Sequence, residues 1–213
     1  MLLGMASDLN QLVLRTDVAG MPLEWIDYRE AIRLYHSRQV AYSSGSRLYT
    51  AFGGYAAATG IRSSIEVNSI ISTRNRSKGS SFSRDKYLPP LNNRTLFKRD
   101  AGICLYCGIN FEVNFLTRDH ITPLSKGGLD VWTNVATACR RCNNHKGGRT
   151  PEEATMQLIA VPFTPTYAEY IYLKGRHILA DQMQFLLAHM PRTSPLHTRI
   201  KSYLDRSNAN ERV

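Results

Sequence analysis

The sequence predicts an α+β protein, and three features of it lead there. Short runs of β-branched and aromatic residues, bounded by serine and glycine, fill the first 71 residues. Apolar residues recur at steps of three and four between Ile178 and Met190, the pattern of a helix packed on something. Between these lie two Cys-x-x-Cys pairs, Cys104/Cys107 and Cys139/Cys142, set among short apolar segments and turn residues. With 213 residues the chain is long enough for one well-buried core or two small domains. Apolar residues make up 43% and charged residues 21%, the balance of a folded chain rather than a disordered one. The 27 Lys and Arg against 17 Asp and Glu leave a net charge of +10, the profile of a protein that meets a polyanion.

In chain order, Gln11 to Thr16 reads as a short buried strand followed by a turn at Ala19-Gly20. A short apolar piece, Pro22 to Ile26, leads into a helix. Asp27 with Glu30 three residues on makes a capping box, and Ala31, Ile32, Leu34 and Tyr35 form the apolar face, ending near His36. Val40 to Tyr42, Leu48 to Phe52 and Ile61 to Ile71 read as strands separated by Ser and Gly turns, completing an N-terminal α+β module over 1–71. A basic linker follows over 72–92: between Arg74 and Arg99 there are eight basic residues and only Asp85 on the acidic side, which suits phosphate contact or a solvated connector. Asn93 is placed to cap a helix from Arg94 to Asp100 that opens a core over 93–160. Thr150-Pro151-Glu152-Glu153 reads as a helix start. Pro162 and Pro165 break the chain, and a helical extension over 161–213 follows, with a last helix from Ser194 to Arg206 and a frayed tail from Ser207.

Residues 1 to 25 hold no unbroken apolar run, and no stretch approaches the ~20 apolar residues of a membrane span, so the sequence predicts neither signal peptide nor membrane segment. A reducing cytoplasm is the expected location. There, two Cys-x-x-Cys pairs suggest metal thiolates before disulfides, and four thiolates suit one tetrahedral zinc, with iron, a redox pair or four buried thiols as the alternatives. Such an ion is structural, because four thiolates leave no open position for chemistry. It would pin the chain ahead of one strand to the start of a helix.

The pairs bracket Asp119-His120, with Asn134 fourteen residues after the histidine and Asn143 nine further on. This order resembles the ββα-metal centre of HNH endonucleases. The surrounding Asp-His-Ile-x-Pro-x-Ser-x-Gly-Gly, Cys-Arg-Arg-Cys-Asn and Lys-Gly-x-Arg-Thr (Lys146 to Thr150) are similar to the four-cysteine branch of that family. The stretch LVLRTDVAGMPLEWIDYREAIRLYHSRQVAY, with the PEEA helix, also resembles bacterial and phage HNH proteins that carry an N-terminal extension. The resemblance implies a zinc-stapled ββα core that hydrolyses DNA phosphodiesters and leaves 5′-phosphate and 3′-hydroxyl ends. By the family pattern His120 is the general base, Asp119 and Asn143 ligate a catalytic Mg²⁺ or Mn²⁺, and Asn134 orients the imidazole through a hydrogen bond.

The chemistry asks for the same residue types. Hydrolysis needs a deprotonated water and a cation near the charge that develops on phosphate. Neighbours on a strand point to opposite sides, so His120 can face the water while Asp119 helps hold an ion, and carboxylate and amide oxygens suit a hard divalent cation. His145 would sit about 200° round a helix from Asn143, which favours Asn143 as the ligand. Arg118, Lys126, Arg140, Arg141, Lys146 and Arg149 are the expected DNA-phosphate contacts, and Trp132 a core anchor. Double-stranded DNA is the expected partner; a monomer should nick, and a homodimer or two successive events would be needed to cut both strands. An inactive zinc-containing DNA-binding protein and an RNA-directed nuclease remain as alternatives. Bacterial or phage defence, packaging and homing all use such a core.

Overall fold

The computed structural model of the chain describes residues 10–74 and 87–210. Its contacts divide the chain into two units, one of residues 1–85 with 174–213 and the other of residues 86–173. Both helices and sheets contribute, as the α+β class requires. The expected C-terminal extension over 161–213 is therefore divided, residues 174–213 going with the N-terminal strands and 161–173 with the other unit.

The first unit is built on a four-stranded sheet in the order β2-β1-β4-β3, made of β1 (Val13–Asp17), β2 (Pro22–Ile26), β3 (Val40–Tyr55) and β4 (Arg62–Thr73). The central pair β1 and β4 is parallel, and the outer strands run antiparallel to them. The β1–β2 turn is closed by Asp17, whose carboxylate accepts from the amides of Ala19 and Met21 at 3.0 and 2.9 Å. Helix α1 (Tyr28–His36) starts at Asp27, which accepts from the Glu30 amide at 2.9 Å. Its Ala31 and Leu34 are buried with Val13, Ile26, Tyr49, Val67 and Ile71. Burying a leucine in this way stabilises by about 1.5–3 kcal/mol.

Two expectations are corrected here. Val40–Tyr42 and Leu48–Phe52 are not separate strands but parts of the 16-residue β3. The stretch between them is not a turn but stays in the strand, its register against β4 shifting between Ser44 and Arg47. Gly45 sits there at φ +78°, and a Cβ on it would come within 2.1 Å of Ser69 Oγ and 2.5 Å of Asp181 Oδ2. The expected linker also starts too early, because Ser72 and Thr73 close β4 as buried residues. Residues 75–86 of that linker lie outside the described residues. Tyr87 and Leu91, farther along it, pack on the core of the second unit.

Helix α5 (Ala180–Leu187) and helix α6 (Pro195–Asn210) complete the first unit. The stripe read from the sequence buries Leu186 and Met190, and Leu196 and Ile200 are buried on α6. Polar side chains do the stitching to the strands. Gln182, fully buried, donates to the carbonyls of Leu12 and Ser69 at 2.8 and 2.9 Å. Asp181 accepts from the Ser46 amide at 2.6 Å and from Ser69 Oγ at 2.5 Å. The tail expected to fray from Ser207 is helical to Asn210, and 211–213 lie outside the described residues. No described helix is long and apolar enough to cross a membrane.

The second unit holds α2 (Asn93–Arg99), β5 (Leu116–His120), β6 (Val135–Cys139), α3 (Arg140–Lys146) and α4 (Tyr167–Lys174). Its core joins Leu96, Phe97, Leu116, Trp132, Val135 and Tyr170. Trp132 is 3% exposed and donates its indole N–H to the Pro89 carbonyl at 2.7 Å. The cap of α2 is Asn92 and not Asn93: its side chain accepts from the Thr95 amide at 3.0 Å. Arg99, counted among the phosphate-suited cations, is instead buried. It donates to the carbonyls of Trp132, Val135 and Phe163 at 2.7, 2.8 and 3.1 Å and pairs with Asp100. At Thr150 the cap forms, with the Glu153 carboxylate accepting from the Thr150 amide at 2.9 Å. No helix grows from it; Thr155, at φ +55°, ends the single turn that forms there.

Candidate active site and metal centre

The four cysteines converge from two directions. Cys104 and Cys107 lie on a knuckle after α2, closed by bonds from the Cys104 amide to the Ile109 carbonyl at 3.0 Å and from the Gly108 amide to the Cys104 carbonyl at 2.9 Å. Cys139 ends β6 and caps α3, its Sγ accepting from the Cys142 amide at 3.4 Å. All four thiols are free and their sulfurs lie within 4.8 Å of one another. Among the described residues this is the one group of three or more His, Cys, Asp or Glu side chains close enough to share an ion. Burial works to raise the Cys104 thiol, but backbone hydrogen bonds at Cys139, Cys107 and Tyr106 outweigh it and hold the thiol below its ordinary value. Burial, then the Cys139 thiol and the Cys104 charge, push Cys142 up. One thiolate thus opposes the next, a conflict that a dication relieves. The sulfur set fits a metal such as zinc.

β5 and β6 pair antiparallel, His120 opposite Val135 and Leu116 opposite Cys139, and α3 follows directly to make a ββα unit. Alternation along β5 sends Thr117 and Asp119 to one face and Arg118 and His120 to the other. On the first face α3 presents Asn143 and, one turn on, Lys146. Asn143 donates Nδ2 to Thr117 Oγ1 at 3.0 Å. Lys146, 1% exposed, places Nζ 3.0 Å from Asp119 Oδ1 and 2.7 Å from the His120 carbonyl oxygen. Asp119, 4% exposed, takes the Tyr106 hydroxyl on its other oxygen at 2.5 Å. Burial, then the bond to Asp119, raises the Tyr106 hydroxyl far above its ordinary value, so it stays a donor.

On the second face His120 Nε2 lies 2.8 Å from Asp130 Oδ1. Arg118 grips both oxygens of Asp130 at 2.9 and 2.8 Å and is itself steadied by Asn93 Oδ1 at 2.9 Å. The Arg118 bonds first, then the His120 ring, hold the Asp130 carboxyl below the usual carboxylate range. Asn134 reaches the loop and not the ring. Its Oδ1 accepts from the Thr122 amide at 2.9 Å, and its Nδ2 donates to the carbonyls of Thr122 and Leu129 at 3.0 and 2.8 Å. The expected hydrogen bond from Asn134 to the imidazole is therefore corrected: Asn134 clamps the backbone after His120, and Asp130 meets the ring. Within that clamp Gly128 has no room for a side chain, since a Cβ would lie 1.9 Å from the Thr122 carbonyl oxygen.

The expected phosphate contacts divide. Lys146 is not exposed for such a contact in this structure, being buried on Asp119. Arg118 is held by Asp130, and Lys126 pairs with Glu153 at 2.6 and 2.5 Å. Arg149 donates to the carbonyls of Lys146 at 3.2 Å and of His145. Arg140 stays exposed with one bond to the Asn114 carbonyl at 3.0 Å, and Arg141 is exposed. His145 lines a cleft with Cys107, Ile109, Phe115, Arg141 and Met156. Tyr106 and Asp130 went unread in the sequence. A tyrosine inside the first Cys-x-x-Cys and an aspartate ten residues after the histidine carry no spacing of their own.

No curated protein matches the chain. Residues 104–159, which hold the four cysteines, β5, β6 and α3, match the family model described as HNH endonuclease. That family implies a hydrolase acting on nucleic acid. Over residues 104–159 the chain is thus similar to HNH endonucleases, and the four-cysteine cluster within that stretch could hold a metal such as zinc.

Proposed function

We propose that the protein is a metal-dependent endonuclease that hydrolyses DNA phosphodiesters, with His120 as its general base. The observation that carries the reading is the setting of that ring. Its side chain is 21% exposed and its Nε2 is fixed by Asp130. With the ring proton assigned to Nε2, as a carboxylate partner requires, Nδ1 keeps the lone pair that accepts a proton from water. The water oxygen forms its bond to phosphorus as the bond from phosphorus to the 3′ oxygen breaks. The new end is a 5′-phosphate, and the departing oxygen takes a proton from solvent to become the 3′-hydroxyl.

Asp119 and Asn143 are the donors for a divalent ion, Mg²⁺ or Mn²⁺. Their atoms suit a hard cation: a carboxylate, and an amide whose nitrogen is occupied by Thr117 so that its oxygen remains. When bound there, such an ion supplies Lewis acidity that stabilises charge building on the phosphate. The four cysteines hold zinc as a structural ion at the root of α3. Exposed Arg140 and Arg141, with the net charge of +10, favour a polyanion partner. The partner in this reading is duplex DNA, one strand of which a single centre cuts, while a homodimer would cut both.

The test is conversion of supercoiled plasmid with Mg²⁺, with Mn²⁺ and with EDTA, beside His120→Ala of equal zinc content and beside a folded RNA. Nicked or linear plasmid that needs the ion and His120 is the expected result. Salt-sensitive binding without cleavage under any ion would sink the reading, and cleavage of RNA alone would move the substrate.

A further inference from the structure

A carboxylate suited to a divalent ion is here already matched by a cation of its own chain. Lys146 leaves α3 on the face it shares with Asn143 and ends against Asp119 Oδ1 and the His120 carbonyl, at 3.0 and 2.7 Å. Tyr106 takes the other carboxylate oxygen, so both are engaged. An entering dication would face the ammonium across one buried carboxylate, two like charges in a place of low dielectric. The lysine stem is flexible and its donors rotate, so the ammonium can move. It will move only toward another anion, because a buried ammonium without a partner is costly. The anion that the reaction delivers is a DNA phosphate.

We propose that Lys146 is an exchangeable cation, which neutralises Asp119 in the resting enzyme and passes to the DNA phosphate when a divalent ion takes Asp119, so that ion and DNA bind cooperatively. This rests on the assignment of Asp119 as a ligand of the divalent ion. Lys146 is then a positioning residue: at rest it fixes the Asp119 carboxylate and the backbone carbonyl of the general base through one ammonium. The exchange also keeps the divalent ion from settling firmly before substrate arrives.

The experiment uses zinc-loaded His120→Ala protein, which leaves its DNA uncut and retains the backbone carbonyl. Free Mn²⁺ is followed by electron paramagnetic resonance, with and without a mixed-sequence duplex at low salt, after subtraction of the ions held by duplex alone. The duplex is expected to tighten Mn²⁺ binding about tenfold or more, and Mn²⁺ to tighten duplex binding by the same factor, because linkage is reciprocal. Lys146→Met and Lys146→Gln are then added in the same background. The glutamine keeps amide donors for Asp119 and the His120 carbonyl in case the methionine variant fails to fold. Both should bind Mn²⁺ several-fold more tightly than their parent without DNA, and the gain from duplex should fall toward one. Mn²⁺ binding that depends on Asp119 but is equal with and without duplex overturns the proposal, and needs no lysine variant to do so. Weaker Mn²⁺ binding by both lysine variants in the absence of DNA also overturns it. If Asp119→Asn changes Mn²⁺ binding in no state, the ligand assignment itself falls and the exchange with it.

Discussion

The two faces of β5 are built on opposite terms. Toward α3, Asp119 is 4% exposed with both oxygens engaged, one by Lys146 and one by Tyr106. On the other side, His120 and Asp130 keep side-chain exposures of 21% and 50%, and their bonds are open to water. One strand therefore sets a rigid, charge-compensated wall behind a solvent-facing ring, and it does so with two consecutive residues. The difference teaches how one strand can give two adjacent polar side chains opposite surroundings, one enclosed and one open. Burial fixes the carboxylate, while exposure leaves the histidine ring in reach of water, as its proposed role as general base requires.

The comparison can be broken from the open side first. His120→Ala should lower cleavage by about 10²–10⁴-fold, the range for a general base, while leaving stability within about 0.5 kcal/mol. Plasmid cleavage and urea melts on the same sample check it, and a large loss of stability would mean that the ring is a structural part of the face. The closed side should respond in the opposite sense. Asp119→Ala strands a buried ammonium and should cost roughly 3–5 kcal/mol, whereas Asp119→Leu combined with Lys146→Met should recover most of that loss. Urea midpoints of the two proteins decide, and an equal loss in both would show that the pair matters for more than its own charge.

Asn134→Ala removes three hydrogen bonds from the loop after His120 and should cost about 1–3 kcal/mol. Faster amide exchange at Thr122 would locate the change, and unaltered exchange would count against the clamp. The smallest effect is expected at Asp130. Its carboxyl is held low by Arg118 and then by His120, so its contribution is present above the unfolded value of about 3.9 and is lost as pH falls through the lower folded value. For a half-exposed pair this amounts to under about 1 kcal/mol. Stability measured against pH for Asp130→Asn should lack that acid limb and match the parent once the parent's carboxyl is protonated.

What the sequence made legible followed local rules. Asp27 caps α1 because a carboxylate, an open backbone and an amphipathic run stand together in ten residues. The cysteine pairs and the Asp-His step are equally local. Where local rules compete with tertiary ones the sequence misleads. Ser43 to Arg47 has turn composition, yet Gly45 serves the close approach of Ser69 and Asp181 from elsewhere in the chain. Thr150 and Glu153 make a real cap, but Thr155 stops the turn it begins. Helix α4 went unread because Ala168, Glu169, Tyr170, Ile171 and Leu173 are all buried, which leaves no polar face to mark its period. At the site, the bonds of Asp130 and Tyr106 span 10 to 13 residues and depend on how the strands and knuckle close. Lys146 alone was within reach: three residues after Asn143, it had to share that residue's face.

Cys139 ends a strand, caps a helix and lends a sulfur to the cluster. One atom is thus the hinge pin of the short lever on which Asn143 and Lys146 ride. Loss of that sulfur should free the lever, so a reagent that never touches β5 would still act on the residues facing it. An alkylating reagent at Cys107, the exposed member of the four, would loosen the cluster from outside and be felt at Asp119 as a shift of its partners.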